Sequence, residues 1–262
     1  MSAHLEPRPA ATVLLVRDGE YGVEVLMLRR NLNSDFVGGA YVFPGGSVDP
    51  ADAEAHDLIE GLDDSRASQR LSLDTGGLAY YIACLREVFE ESGLLLARTQ
   101  SGDYIKLTDD VTRERFAEHR RALNAQEITF REIIARENLR LDLTSLEYYS
   151  HWVTPIGPPR RFDTRFFVAH APQHQVAAHD AGETVADVWI NPLDALERVR
   201  RRELEMIFPT IKNLEGIAHL ATADDVLAHA RGLRSIPRIE PRIVNRDGEA
   251  VILMPDDDGF AD

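Results

Sequence analysis

Three glutamates, Glu87, Glu90 and Glu91, occupy the five positions after Arg86. On a helix that turns about 100° per residue, Glu90 and Glu91 fall within roughly 60° of Glu87, so the three carboxylates share one edge. Like charges four apart, as at Glu87 and Glu91, cost a helix roughly a few tenths of a kcal/mol unless a cation compensates. Hard divalent ions prefer oxygen ligands and keep several waters, so such an edge beside a phosphate pocket suits them. By themselves, Glu90 and Glu91 are read first as the solvated face of an amphipathic helix. Arg86 is open to two readings from spacing alone, an ordinary helix ion pair or a group that orients the acidic edge.

The element that presents this edge is legible. Leu78, Ile82, Leu85 and Phe89 recur at helical spacing on the opposite side, and Gly93 sits where a helix stop belongs, which predicts a helix over 78–92. Before it, 11–17 and 23–30 read as strands of a hairpin, and the apolar 40–43 reads as a short strand that Pro44-Gly45-Gly46 must end in a loop. Residues 51–77, rich in Asp, Ala, Ser and Gly, read as a partly helical insertion. Charged helices are expected over 112–123 and 129–136, and strands over 147–154, 165–170 and 185–190. Asn191-Pro192 opens a helix to Arg200. Further helices are expected over 209–219 and 223–231, a strand within 236–254, and disorder over 256–262. No internal repeat is present.

With 262 residues and 44% hydrophobic content, the sequence suits one elaborated domain over 1–262. Its insertions are expected at about 53–77 and 109–140, with a C-terminal helical extension and tail over about 203–262. A net charge of −15 argues against a nucleic-acid or anionic-membrane surface, yet bound cations let an acidic protein hold a polyanion. No segment approaches the roughly 20 apolar residues that span a bilayer. The single Cys84 excludes an internal disulfide and reads as a small packed residue, and the histidines show no metal-ligand spacing. With no secretory leader and no Ser-Lys-Leu ending, a cytoplasmic setting is expected.

Gly46, five residues, Asp52, and later Arg86-Glu87-Val88-x-Glu90-Glu91-x-Gly93-Leu94 together resemble the box of the Nudix hydrolases. The second half matches at every fixed position. The first departs twice, with Asp52 in place of glutamate and a gap over 53–85 where the family has seven residues. An inserted loop is tolerable because closure entropy grows slowly with length. The resemblance implies an α/β fold, a Nudix-type α/β/α sandwich with a mixed sheet plus helical insertions. It implies Mg2+ or Mn2+ held by Glu87, Glu90 and Glu91 with backbone carbonyls near Gly45 and Gly46, neutralising a diphosphate and acidifying a water. Arg86 would then orient the carboxylates, and a later loop would supply a further catalytic acid. Glu183, in Asp180-Ala-Gly-Glu-Thr, is the first candidate, with Glu127 and Asp187 as rivals.

Leu26–Arg30 leading to Ala40–Gly46, the inserted box, Trp152–Pro155, and Arg160–Phe167 are together similar to the long-insert Nudix branch that holds the peroxisomal acyl-CoA diphosphatases of mammals. That likeness implies hydrolysis of CoA or its thioesters to 3',5'-ADP and a phosphopantetheine. The substrate is expected to be a small nucleoside diphosphate derivative, with ADP-ribose, a dinucleotide or a nucleotide sugar as alternatives. A nucleotide-sensing module without catalysis is a rival of another class. Arg30, Arg160, Arg161 and Arg165 are candidates for substrate phosphates, since a guanidinium fork matches phosphate oxygens, although pairing with Asp163 accounts for the last three as well. A homodimer accords with the family.

Overall fold

A computed structural model of the chain describes residues 5–32, 38–180, 182–246, 249–258 and 260. The chain opens with a long hairpin, β1 (Arg8–Gly19) and β2 (Gly22–Arg30), turned at Gly22 where φ is 111°. Short strands β3 (Tyr41–Val42) and β4 (Gly45–Ser47) follow. The inserted region holds two 3-10 turns, β5 (Ile59–Glu60) and α1 (Asp64–Leu71). Then come α2 (Gly77–Ser92), β6 (Ala97–Arg98), α3 (Asp110–Asn124), α4 (Phe130–Arg136), β7 (Arg140–Asp142), β8 (Glu147–Val153) and β9 (Phe162–His170). The rest comprises β10 (Thr184–Ile190), α5 (Pro192–Arg200), α6 (Phe208–Ile217), α7 (Ala223–Gly232), β11 (Arg238–Ile239), β12 (Arg242–Arg246) and β13 (Glu249–Leu253).

The main sheet runs β10-β2-β1-β9-β8-β11, with β3 on β2 and β4 on β1. It is mixed: β1 pairs with β9 in parallel and with β2 antiparallel. Successive side chains of a strand face opposite ways, and the chain uses this to build two cores. Ala11, Val13, Leu15, Leu26 and Leu28 face one core with α2, α3 and α4, while Leu14, Val16, Val25 and Met27 face the other with α5, α6 and α7. The result is the expected α/β/α sandwich. Among the described residues, no helix is long and apolar enough to cross a membrane.

Three expectations are corrected. Gly45-Gly46-Ser47 do not leave the sheet: they pair with Ala10–Thr12, the part of β1 that β2 leaves free. Glycine makes this possible, because a Cβ on Gly45 would lie 2.4 Å from Thr12 Oγ1. The tail forms a hairpin, β12–β13, besides the short β11. Asp256–Asp258 belong to a turn in which Asp257 N–H donates to Met254 O, while 259, 261 and 262 lie outside the described residues. The small sheet β5-β7-β6 was not foreseen, since strands of two or three residues carry no readable period.

Helix α2 is buried on nearly every side, so its placement fixes that of its carboxylates. It stops at Gly93, whose φ of 71° favours glycine and whose N–H donates to Phe89 O. Its start is held by the insertion. Gly77 packs so closely that a Cβ would meet Ser68 N at 2.3 Å, and Asp64 accepts from Gly76 N–H (2.9 Å) and Leu78 N–H (3.0 Å). Helix α1 thus caps α2 from outside. Asp64→Ala is expected to lower stability by about 1 kcal/mol, as loss of a cap does, read as a lower urea midpoint at unchanged slope.

Candidate active site

The central contact is between α2 and β4. Glu91, 4% exposed, accepts a hydrogen bond from Gly45 N–H through Oε2 at 2.9 Å. Glu87 lies against Gly46 so tightly that a Cβ there would be 2.4 Å from Glu87 Oε1. Two carboxylates one helical turn apart therefore press on a glycine pair that offers backbone and no side chain.

Arg86 organises the other flank. Its Nε donates to Asp52 Oδ1 (2.8 Å) and its Nη2 to Asp52 Oδ2 (3.0 Å), a bidentate pair between buried groups. Nη1 donates to Glu87 Oε1 (2.9 Å) and Glu90 Oε2 (2.8 Å), and Nη2 also reaches Ser47 O (2.8 Å). Asp52 is aimed by the 3-10 turn it sits in, where it accepts from Asp49 N–H. Despite the long gap, Asp52 thus meets the box arginine. The acidic edge itself is divided: Glu90 turns to Arg86, Glu91 to Gly45, and Glu87 lies between.

These groups border a cleft of about 620 Å3 whose lining includes Gly45, Gly46, Glu87, Arg30, Arg160 and Glu183. Glu183, on the loop before β10, accepts from Arg30 Nη2 at 2.7 Å, and its backbone carbonyl takes Asn31 N–H. Asp180 shapes that loop by accepting from the Glu183 and Thr184 amides and the Thr184 hydroxyl. Arg120 of α3 bonds Glu90 O and Ala178 O, tying the end of α2 to the segment leading into the loop. Neither Asp180 nor Arg120 was singled out from sequence, although Asp180 three residues before Glu183 is a recognisable turn signal. Of the rivals, Asp187 is engaged with His179 and Glu127 is exposed beyond α3.

Arg161 and Arg165 are not brought to the cleft. Alternation decides this: Phe162, Thr164 and Phe166 line it, while Arg165 points the other way, over the Tyr80 ring and against Asp163. Arg161 is buried, donating to Leu5 O and Thr154 O and pairing with Glu240. Cys84 is fully buried, and burial pushes its thiol well above the ordinary value, consistent with packing.

Burial dominates the electrostatics. It pushes Glu87 up to about 7, with Arg86 opposing and the charges of Glu90 and Glu183 adding to the rise. It also raises Glu91 well above the ordinary glutamate value, reinforced by the Glu87 charge and resisted by the Gly45 N–H. Burial alone would depress Arg86, but its bonds to Asp52 and the charges of Glu87 and Glu90 hold it firmly protonated. One guanidinium is shared among Asp52, Glu87 and Glu90, so Glu87 and Glu91 hold more negative charge than their surroundings neutralise. Buried charge of that kind takes a proton or a cation. Among the described residues no three His, Cys, Asp or Glu side chains converge as a ready-made metal group. Two carboxylates beside exposed backbone nevertheless suit a divalent ion that retains water.

The model of the NUDT19 Nudix domain family matches residues 62–217, more than half of the chain. The chain belongs to this Nudix family. The Nudix hydrolase is 25% identical over 268 residues to the acyl-coenzyme A diphosphatase NUDT19 of Xenopus laevis, covering 90% of this chain and 70% of that protein. The human acyl-coenzyme A diphosphatase NUDT19 is 26% identical over 274 residues, covering 90% and 72%. A crystal structure of a Nudix hydrolase from Alicyclobacillus acidocaldarius superimposes with a TM-score of 0.70 at 28% identity, covering 86% of this chain and 97% of that one.

Two outcomes test the electrostatics of this Nudix hydrolase. Asp52→Ala removes the buried partner of Arg86 and is expected to lower unfolding stability by about 3 kcal/mol, measured by denaturant titration. Glu87 and Glu91 are both raised in the folded state, so their contribution is complete below the ordinary glutamate value of 4.5; that of Glu87 is lost as pH rises through about 7, and that of Glu91 declines in the same direction. Metal-free protein should therefore lose thermal stability between pH 5 and about 8, and millimolar Mg2+ should restore it most at the upper end.

Proposed function

We propose that this Nudix hydrolase cleaves the diphosphate of CoA or a CoA thioester, giving 3',5'-ADP and the (acyl)phosphopantetheine. The observation that carries the hydrolytic part is the pair of carboxylates, buried Glu91 and cleft-lining Glu87, set against Gly45-Gly46 at the edge of a cleft. The substrate part is supported by relatives named acyl-coenzyme A diphosphatases that align with nine-tenths of the chain. In this reading the chain works as one hydrolase domain, since both cores are built on the same sheet.

Glu87 and Glu91, with Gly45 and Gly46 beside them, are the groups that would hold Mg2+ or Mn2+, and Glu90 would join them only by leaving Arg86. The divalent ion supplies charge neutralisation for the diphosphate and makes a water more acidic. Arg86, fixed by Asp52, holds Glu87 in place. Arg30 and Arg160 line the cleft as cations for the substrate phosphates, with Arg30 also steering Glu183. Glu183, with 54% of its side chain exposed, would accept the proton of the attacking water. The water oxygen bonds to one phosphorus as the bridging oxygen leaves with the other phosphate.

Free CoA, acetyl-CoA, octanoyl-CoA, ADP-ribose and a diadenosine polyphosphate, each assayed with Mg2+ or Mn2+ and read by product mass, test the substrate. Turnover of CoA species above the others supports the reading, and a clear preference for ADP-ribose contradicts it. Glu91→Gln removes a buried charge while keeping the shape, so it should lower kcat by a factor on the order of 100 with no loss of unfolding stability.

A further inference from the structure

Besides the charged groups, the cleft is lined by the apolar side chains Val153, Phe162, Ile207, Phe208, Pro241 and Ile252. Two of these, Pro241 and Ile252, come from the segment after residue 217, beyond the part that matches the family. Ile252 belongs to the hairpin β12–β13, whose strands, among the described residues, pair only with each other. Buried Pro241 leads into it and buried Leu253 ends it, so it is anchored at one end. Ile243 stands directly opposite Ile252 in the antiparallel register, which puts both on one face of the hairpin. Both remain substantially open to solvent, Ile243 at 44% and Ile252 at 40%. An apolar patch therefore extends from Ile252 in the cleft to Ile243 on the paired strand.

The chemistry of this limb selects its occupant. A nucleobase needs a matched set of donors and acceptors for its edge, whereas the six side chains named offer only carbon; the polar groups lining the same cleft include the Trp152 N–H and the Thr154, Thr164 and Thr210 hydroxyls. An aliphatic chain needs only apolar area. We propose that β12–β13 is the outer wall of an acyl-chain channel, with Ile252 and Ile243 setting the preference for acyl length. This inference rests on the CoA-thioester reading above. A substrate whose diphosphate lies at Glu87 then extends its acyl end between Phe208 and Ile252, and chains long enough to reach the hairpin gain most.

Ile252→Asp and Ile243→Asp test the inference, since both positions are exposed enough to accept a charge without unfolding the protein. In each variant the ratio of kcat/KM for octanoyl-CoA to that for free CoA should fall about tenfold, as expected when apolar contacts with part of a chain are lost. S-octanoylpantetheine, which has the chain but no diphosphate, should compete with substrate on wild type and about tenfold less well on Ile252→Asp. An unchanged ratio in both variants overturns the proposal, as does an equal fall for octanoyl-CoA and free CoA. So does a variant that converts a dimer to a monomer while leaving the ratio unaltered, because the isoleucine face is then an interface between copies of the chain. If wild type hydrolyses ADP-ribose and no CoA species, the substrate reading fails separately. Competition by S-octanoylpantetheine against ADP-ribose then decides the channel by itself.

Discussion

Negative charge is buried between α2 and β4, and much of the surrounding structure serves to keep it there. Glu91 is withdrawn from water under the Gly45 amide, and Glu87 is largely shielded against Gly46 with its remaining surface in the cleft. Desolvation of two carboxylates so close together outweighs what one N–H and a shared guanidinium return, which is why both are raised. A fold that tolerates this must hold the helix and the short strand firmly, because a small outward slip of α2 would rehydrate both groups. Under the proposed function, that deficit is what a divalent ion would neutralise.

Three features resist that slip. Burial of α2 on nearly all sides ties its position to the first core. Asp64 and the close Gly77–Ser68 contact fix its start, so the inserted helix acts as a cap supplied from another element. The Asp52–Arg86 pair joins the loop after β4 to α2, so the two halves of the box move together. On the opposite side of the cleft, Asp180 and Arg120 give the Glu183 loop a defined shape beside Arg30.

What could be read from sequence was local. The carboxylate spacing, the apolar face of α2 and the Gly93 stop lie within one element, so periodicity and cap chemistry expose them. The proximity of Arg30 and Glu183 emerged only with the sheet, since β10 pairs with β2 across more than 150 residues. The meeting of Asp52 and Arg86 was equally hidden, because sequence separation does not reveal which groups an insertion returns to contact. Glu90 shows the limit of a helical wheel: it gives the direction of a side chain but not which cation draws it away. Arg161 and Arg165 failed as cleft candidates for a similar reason. Which face of β9 looks into the cleft depends on the packing of Tyr80 and Phe208 on either side of the sheet.

The central claim is that Glu87 and Glu91, against the glycine pair, are the seat of the divalent ion. Anomalous diffraction at the manganese edge from crystals soaked in Mn2+ addresses it most directly. The account requires a peak in contact with carboxylate oxygens of both Glu87 and Glu91 beside Gly45-Gly46, lost in Glu91→Gln crystals. Manganese bound elsewhere, with those two carboxylates untouched, would contradict it.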